Sequence, residues 1–193
     1  NGQLVTGFYK QKTNDIIACN ECLIQNEESN AVIQRVKELF VEYNIKPYDK
    51  VTHRGNIKHI LTKKGYHSEE FMLCFITYQK TIKHIDQIVE ILIQEFPHIK
   101  TIIQNINERH DNVILGDEEK ILYGKGYIYD TLLDNQYKIS LKSFYQINPI
   151  QVEKLYQTAI DLAHINQDSV VLDAYCGIGT ITLSLAKHVK KVY

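Results

Sequence analysis

No stretch of the sequence approaches the ~18 consecutive apolar residues of a membrane-spanning helix, and no charged-then-apolar leader opens it. Neither a membrane anchor nor a secretory signal is expected, and the protein reads as cytoplasmic. Cysteine is scarce: Cys19, Cys22, Cys74 and Cys176 are the 4 present, and apart from one close pair they are too dispersed for a disulfide framework. Net charge is nearly absent, at -1 over 193 residues, so there is no global electrostatic footprint for nucleic acid. Internal repeats and low-complexity tracts are missing too. The first residue is Asn1 rather than Met, which suggests a piece of a longer protein.

What is present is a soluble, core-forming composition, 44% hydrophobic, enough for one or two domains. Val32, Ile33, Val36, Leu39, Phe40 and Tyr43 recur at three-and-four spacing and predict a helix over 28–43, with Asn26 or Ser29 as its cap. The runs 57–63 and 71–78 are β-branched and aromatic around a turn-like stretch, which predicts a hairpin. A continuous apolar stripe from Ile82 to Phe96 predicts a core helix over 81–96, ended by Pro97. Between 100 and 148 come short β runs (TIIQNI, NVILG, KILYG, YIYDTLL, YKISLKSFYQI), an antiparallel or mixed sheet. After Pro149 a helix and then a fully buried strand over 169–175 mark the opening of a βαβ unit. The expected architecture is an α+β central domain over 1–140, followed by the beginning of an α/β Rossmann-like domain over 141–193.

Charge is patterned locally. From Lys46 to Lys64 the bases Lys46, Lys50, Arg54, Lys58, Lys63 and Lys64 face the single acid Asp49, with His53 and His59 interleaved. The segment either meets phosphate or is a solvated lysine face.

The chemistry gathers at Val170-Val171-Leu172-Asp173-Ala174-Tyr175-Cys176-Gly177-Ile178-Gly179. A strand that ends in a glycine turn and leads into a helix leaves backbone N–H groups and bare Cα atoms facing the sheet's carboxyl edge, where a nucleotide-type ligand can approach. Glycine for steric reasons alone is the plain alternative. No third glycine stands at the dinucleotide spacing, and no Gly-Lys-Ser/Thr supplies a phosphate loop, so hydride-transfer and NTPase readings lose ground.

The pattern of three hydrophobic residues, Asp, three more residues and Gly-x-Gly resembles the first motif of the S-adenosylmethionine-dependent methyltransferases. With Ser143-Phe144-Tyr145-Gln146-Ile147-Asn148-Pro149 upstream, the sequence resembles the RNA uracil-C5-methyltransferases, the family of the ribosomal RNA enzymes and their transfer RNA relative. Ile102-Ile103-Gln104-Asn105-Ile106-Asn107, Val113-Ile114-Leu115-Gly116 and the Asp15-Ile16-Ile17 to Cys22 stretch extend the resemblance over nearly the whole chain.

That resemblance implies S-adenosylmethionine as cofactor, with Gln146 and Tyr175 lining its pocket and Gly177 and Gly179 making room for its methionine and ribose. Packing against the sheet edge is the alternative for Tyr175. Asp173 holds donors or water near the loop, or simply braces it. Ribosomal members carry a 4Fe-4S cluster, and Cys22 matches the position of its distant fourth ligand, the other three being expected upstream of Asn1, so that the site would be incomplete here; the alternative is an ordinary small buried residue. Cys19 reads as incidental and Cys74 as core. The implied reaction is methylation of uracil C5 in RNA, with 23S ribosomal RNA as the preferred substrate, through a cysteine adduct at C6. Its nucleophile and base are not in this chain, which is therefore expected to be inactive alone; Cys176 sits in the cofactor turn and is not the nucleophile. RNA is the implied partner, with Arg54, Lys58, His59 and Arg109 as candidate contacts. A non-catalytic RNA-binding module and a small-molecule methyltransferase are the competing readings.

Overall fold

A computed structural model describes residues 4–193; Asn1, on which the expectation of a longer protein rests, lies outside the described residues. The chain divides into two compact units. One comprises the described residues up to Lys63 together with Phe71–Gly126; the other joins Lys64–Glu70 to Tyr127–Tyr193.

The first unit opens with a short antiparallel ribbon, β1 (Gly7–Tyr9) and β2 (Ile16–Ala18). Helix α1 spans Glu27–Glu42, and the Asn26 side chain accepts from Ser29 N–H at its start, as the capping residues foretell. Four strands follow in the sheet order β3 (Ile57–Lys64), β4 (Phe71–Thr77), β5 (Ile99–Ile106) and β6 (Glu118–Gly124). β3 and β4 are neighbours as expected, while β4 and β5 run parallel and β5 and β6 antiparallel, so the sheet is mixed. The parallel pair needs a crossover, which α2 (Ile85–Glu95) supplies. This helix starts later than its apolar stripe predicts, because His84 sits in the left-handed region at φ 57° and stops helical geometry there; Ile82 is buried all the same.

Val32, Val36, Leu39 and Phe40 of α1 and Ile88, Val89 and Leu92 of α2 pack with Phe71, Leu73, Phe75 and Ile102 of the sheet in one cluster. Each such side chain contributes roughly 1.5–3 kcal/mol on full burial. Cys74 is fully buried, and burial pushes its thiol up to about 12, so it is core as expected.

The run NVILG is not a strand. Buried side-chain amides take the place of a ladder: Asn105 bonds both the N–H and the C=O of Gly116, at 2.7 and 3.0 Å. Asn107 donates to the carbonyls of Val113 and Ile114, both at 2.7 Å.

The second unit contains β7 (Tyr127–Leu132) and β8 (Asn135–Ser140), an antiparallel hairpin, then α3 (Pro149–Leu162), β9 (Val170–Val171), α4 (Thr180–Ala186) and β10 (Lys191–Val192). Proline stands at the start of α3, and the Asn148 side chain caps it by accepting from Gln151 N–H at 3.1 Å. β9 and β10 pair in parallel across α4, the expected βαβ arrangement. Two expectations are corrected. The strand predicted over 169–175 shrinks to Val170–Val171 and is not buried, Leu172 being 72% exposed; among the described residues β10 is its sole strand neighbour. The segment 143–147 is irregular rather than β.

The units divide at Gly126/Tyr127, ahead of the residue 140 expected from the change of pattern. The hairpin belongs with the later elements because Tyr137 on β8 reaches forward to donate to Thr180 O at 3.1 Å. Among the described residues no helix is long and apolar enough to cross a membrane.

Candidate functional site

After β9 the backbone turns through Gly177 and Gly179, at φ 57° and 82°, a region that costs an L-residue about 1–2 kcal/mol. The turn is closed by Gly179 N–H donating to Cys176 O at 2.8 Å. A Cβ at Gly177 would meet nothing within 4 Å, and at Gly179 only Leu183 and Thr182 at 4.0 Å. Conformation rather than crowding therefore requires these glycines, and the space beside them is open to a ligand.

Asp173 is half-buried and already engaged. Its N–H donates to Tyr193 O at 2.8 Å, and its carboxylate accepts from the Thr182 hydroxyl at 2.5 Å. It braces the turn against the first turns of α4. The start of α4 is held a second way: Tyr137 O–H and Ser184 O–H both donate to Thr180 O, and the hydroxyls of Tyr156 and Thr180 lie 2.8 Å apart. Burial pushes the Tyr137 phenol up, which keeps it a neutral donor.

The Phe-Tyr-Gln-Ile-Asn segment is anchored by its tyrosine. Tyr145 O–H donates to the buried Asp130 carboxylate at 3.0 Å, and Asp130 also accepts from the backbone N–H groups of Tyr66, His67 and Ser68 at 2.9, 2.9 and 3.1 Å. Burial first, and then the charge of Asp130, raise the Tyr145 phenol. With Tyr145 turned to that carboxylate, its neighbour Gln146 is half-buried and has no side-chain hydrogen bond among the described residues. An amide so placed keeps its donors and its acceptor for a ligand. Tyr175 is 98% exposed, so packing against the sheet edge is not its role within this chain.

Asp130 is an anchor of this segment that the motifs do not reveal. Its signal is faint but present: it shares the buried face of β7 with Ile128 and Leu132, where an acid demands partners.

The candidate RNA contacts lie in the first unit and differ in character. Arg54 is exposed and has no side-chain partner among the described residues. Lys58 donates to the carbonyls of Asn107 and Arg109 at 3.1 and 2.6 Å, and burial together with Lys50 lowers its ammonium. Arg109 is bonded to Asp111 through two nitrogens. Burial, aided by Lys50 and Lys58, holds His59 below the ordinary histidine value, so at neutral pH it presents a neutral ring.

Cys19 and Cys22 are half-buried free thiols. The Cys22 backbone is fastened to the Asn30 side chain by two 3.2 Å bonds, and Cys19 Sγ donates to Glu21 O at 3.2 Å. Among the described residues neither thiol belongs to a group of three potential ligands. A four-iron cluster needs four thiolate positions, and the residues present do not make one.

Comparison with known sequences covers the entire length. The family model described as tRNA (Uracil-5-)-methyltransferase matches residues 1–193. A protein of Halalkalibacterium halodurans named as an uncharacterized RNA methyltransferase is 44% identical over 192 residues, and one of Oceanobacillus iheyensis is 41% identical over 194. All of the chain aligns with 42% of each, so it spans about two-fifths of the length of the curated relatives it matches. Among solved structures, the Pyrococcus abyssi tRNA (uracil-54, C5)-methyltransferase in complex with S-adenosyl-L-homocysteine superposes with a TM-score of 0.77 at 25% identity. That match covers 93% of this chain and 43% of the other.

Proposed function

The chain belongs to the tRNA (uracil-5-)-methyltransferase family, and on that premise we propose that the protein methylates C5 of uracil in RNA with S-adenosylmethionine as donor. The observation that carries this reading is the coincidence, in one unit, of two left-handed glycines beside open space with a glutamine amide left unpaired by its neighbours. Gly177 and Gly179 give the donor's methionine and ribose room at the turn. Gln146 would hold it by hydrogen bonds, and the exposed Tyr175 ring would line its pocket. When bound, the donor supplies an electrophilic methyl group on sulfonium sulfur.

Uracil C5 is a poor nucleophile, so we assign a covalent route: a cysteine thiolate would add to C6, C5 would take the methyl from sulfonium sulfur with S-adenosylhomocysteine as the leaving group, a carboxylate would remove the C5 proton and the thiolate would leave from C6. Cys176 is excluded from that role by its place within the cofactor turn. Ribosomal RNA is the preferred substrate, on the likeness of the Asp15 to Cys22 stretch to ribosomal members, and RNA as substrate makes the cytoplasm the place of action.

The test is methyl transfer from tritiated S-adenosylmethionine. The intact protein is expected to label uridine in ribosomal RNA, and the 193-residue chain alone to label nothing. Label confined to transfer RNA would overturn the ribosomal assignment, and label in neither RNA would overturn the reading itself.

Gly179→Val in the intact protein forces a β-branched residue to φ 82° at the start of α4. It is expected to weaken S-adenosylhomocysteine binding at least about tenfold, from a backbone cost of roughly 1–2 kcal/mol plus the lost space. Calorimetric titration checks this, and an unchanged Kd would remove the turn from the cofactor site.

A further inference from the structure

Four rings from three segments of the first unit meet at its surface. Tyr48 and His53 precede β3, Tyr78 directly follows β4, and His110 lies beyond β5. The His53 and His110 imidazoles stack with centroids 4.1 Å apart and planes 28° from parallel. Behind them Tyr48 and Tyr78 lie 4.8 Å apart. Each tyrosine holds one histidine: Tyr48 Oη is 2.6 Å from His53 Nδ1, and Tyr78 Oη is 3.4 Å from His110 Nε2. Lys58 Nζ stands 5.0 Å from the centre of the Tyr48 ring.

Burial divides the group in two. The tyrosines are half-buried while both imidazoles are exposed. A clasp that ties loops to the end of β4 accounts for the tyrosines. It does not account for the histidines, which spend aromatic surface on each other in water.

The charges nearby are unequally available. Asp49 accepts from Val51 and Thr52 N–H, both at 2.8 Å, and these amides hold it below the usual carboxylate range. Asp111 is taken up by Arg109 and by Val113 N–H, while Glu108 beside them is exposed. Arg54, next in sequence to His53, has no such engagement among the described residues.

We propose that the His53–His110 stack, backed by Tyr48 and Tyr78, is a platform on which an unpaired base of the RNA substrate stacks, with Arg54 taking the adjoining phosphate. The proposal rests on the reading of the protein as an RNA enzyme and adds a place of contact to it. Flat, exposed rings beside a cation suit single strands: every base offers a π-face, whereas bases inside an A-form duplex keep theirs covered. Stacking of this kind tolerates any base, so the platform grips a loop without reading its sequence.

The test is fluorescence anisotropy with the full chain at fixed salt and a labelled uridine-rich single-stranded RNA. The same RNA carrying abasic positions serves as the second probe. The double variant H53A/H110A is expected to bind the intact RNA roughly tenfold more weakly, whereas H53F/H110F, which restores rings without the tyrosine bonds, binds as the parent does. The parent should lose a similar factor on the abasic RNA. Full affinity of H53A/H110A for the intact RNA overturns the platform while leaving the RNA reading standing. If that variant fails to fold, full affinity of the parent for the abasic RNA overturns the platform equally. A parent that binds no RNA removes both.

Discussion

Asn105→Ala is expected to lower the thermal midpoint of the first unit by roughly 10–20 °C. The side chain is fully buried and satisfies both backbone groups of Gly116 at once. Alanine leaves an N–H and a C=O in the interior without partners, at about 1–3 kcal/mol each. No nearby amide is free to replace it, because Gln104 already donates to Thr77, Gln79 and Lys80 and Asn107 to Val113 and Ile114. The other side of the contact is equally unforgiving. A Cβ on Gly116 would fall 1.9 Å from Ile106 O, so Gly116→Ala should match the loss. Calorimetry of the two single variants and the double variant makes the check. If Asn105→Ala moves the midpoint by less than about 2 °C, water has replaced the amide and the clasp is not structural. A double variant no worse than either single would place both losses in this one contact.

Asp130→Ala is the second large effect, and it should join stability to ligand binding. The carboxylate gathers three backbone N–H groups and the Tyr145 phenol. Losing it strands those four donors, at about 1–3 kcal/mol for each that stays buried without a partner. It also releases Tyr145, the residue next to Gln146. In the intact protein the variant is therefore expected to melt lower and to bind S-adenosylhomocysteine at least about tenfold more weakly. Tyr145→Phe separates the two effects: it removes one bond of about 1 kcal/mol and leaves the 66–68 loop on its acceptor, so affinity should fall further than stability does. If S-adenosylhomocysteine binds Tyr145→Phe and the parent alike, the phenol does not position Gln146.

What could be read from the sequence was local or contiguous. The Asn26 cap, the proline at the start of α3, the α1 and α3 periodicities and the glycine turn each lie within a dozen residues, where spacing carries the information. The α2 start was misplaced because an apolar stripe continues through Ile82 although the backbone at His84 leaves the helix. Partnerships across the chain were out of reach. Nothing in VILG announces that Asn105 and Asn107 replace its ladder, and nothing near position 130 names residues 66–68 as its donors. The same holds for the four rings at 48, 53, 78 and 110, which come together only through the sheet order. The turn at Gly177 and Gly179 was legible because its motif is short and continuous. The basic segment was legible as charge but not as employment: Lys58 turned out to hold carbonyls, and Arg54 did not.

The excursion at Lys64–Glu70 has a consequence for anyone who would take the protein apart. The chain leaves the first unit after Lys63, lends Tyr66, His67 and Ser68 to Asp130, and returns at Phe71. The second unit is thus discontinuous, and no single cut yields both parts whole. A boundary placed after Gly126 carries the 66–68 donors away from their acceptor, whereas grafting 64–70 onto Tyr127–Tyr193 keeps the set together and asks the first unit to be rejoined from Lys63 to Phe71.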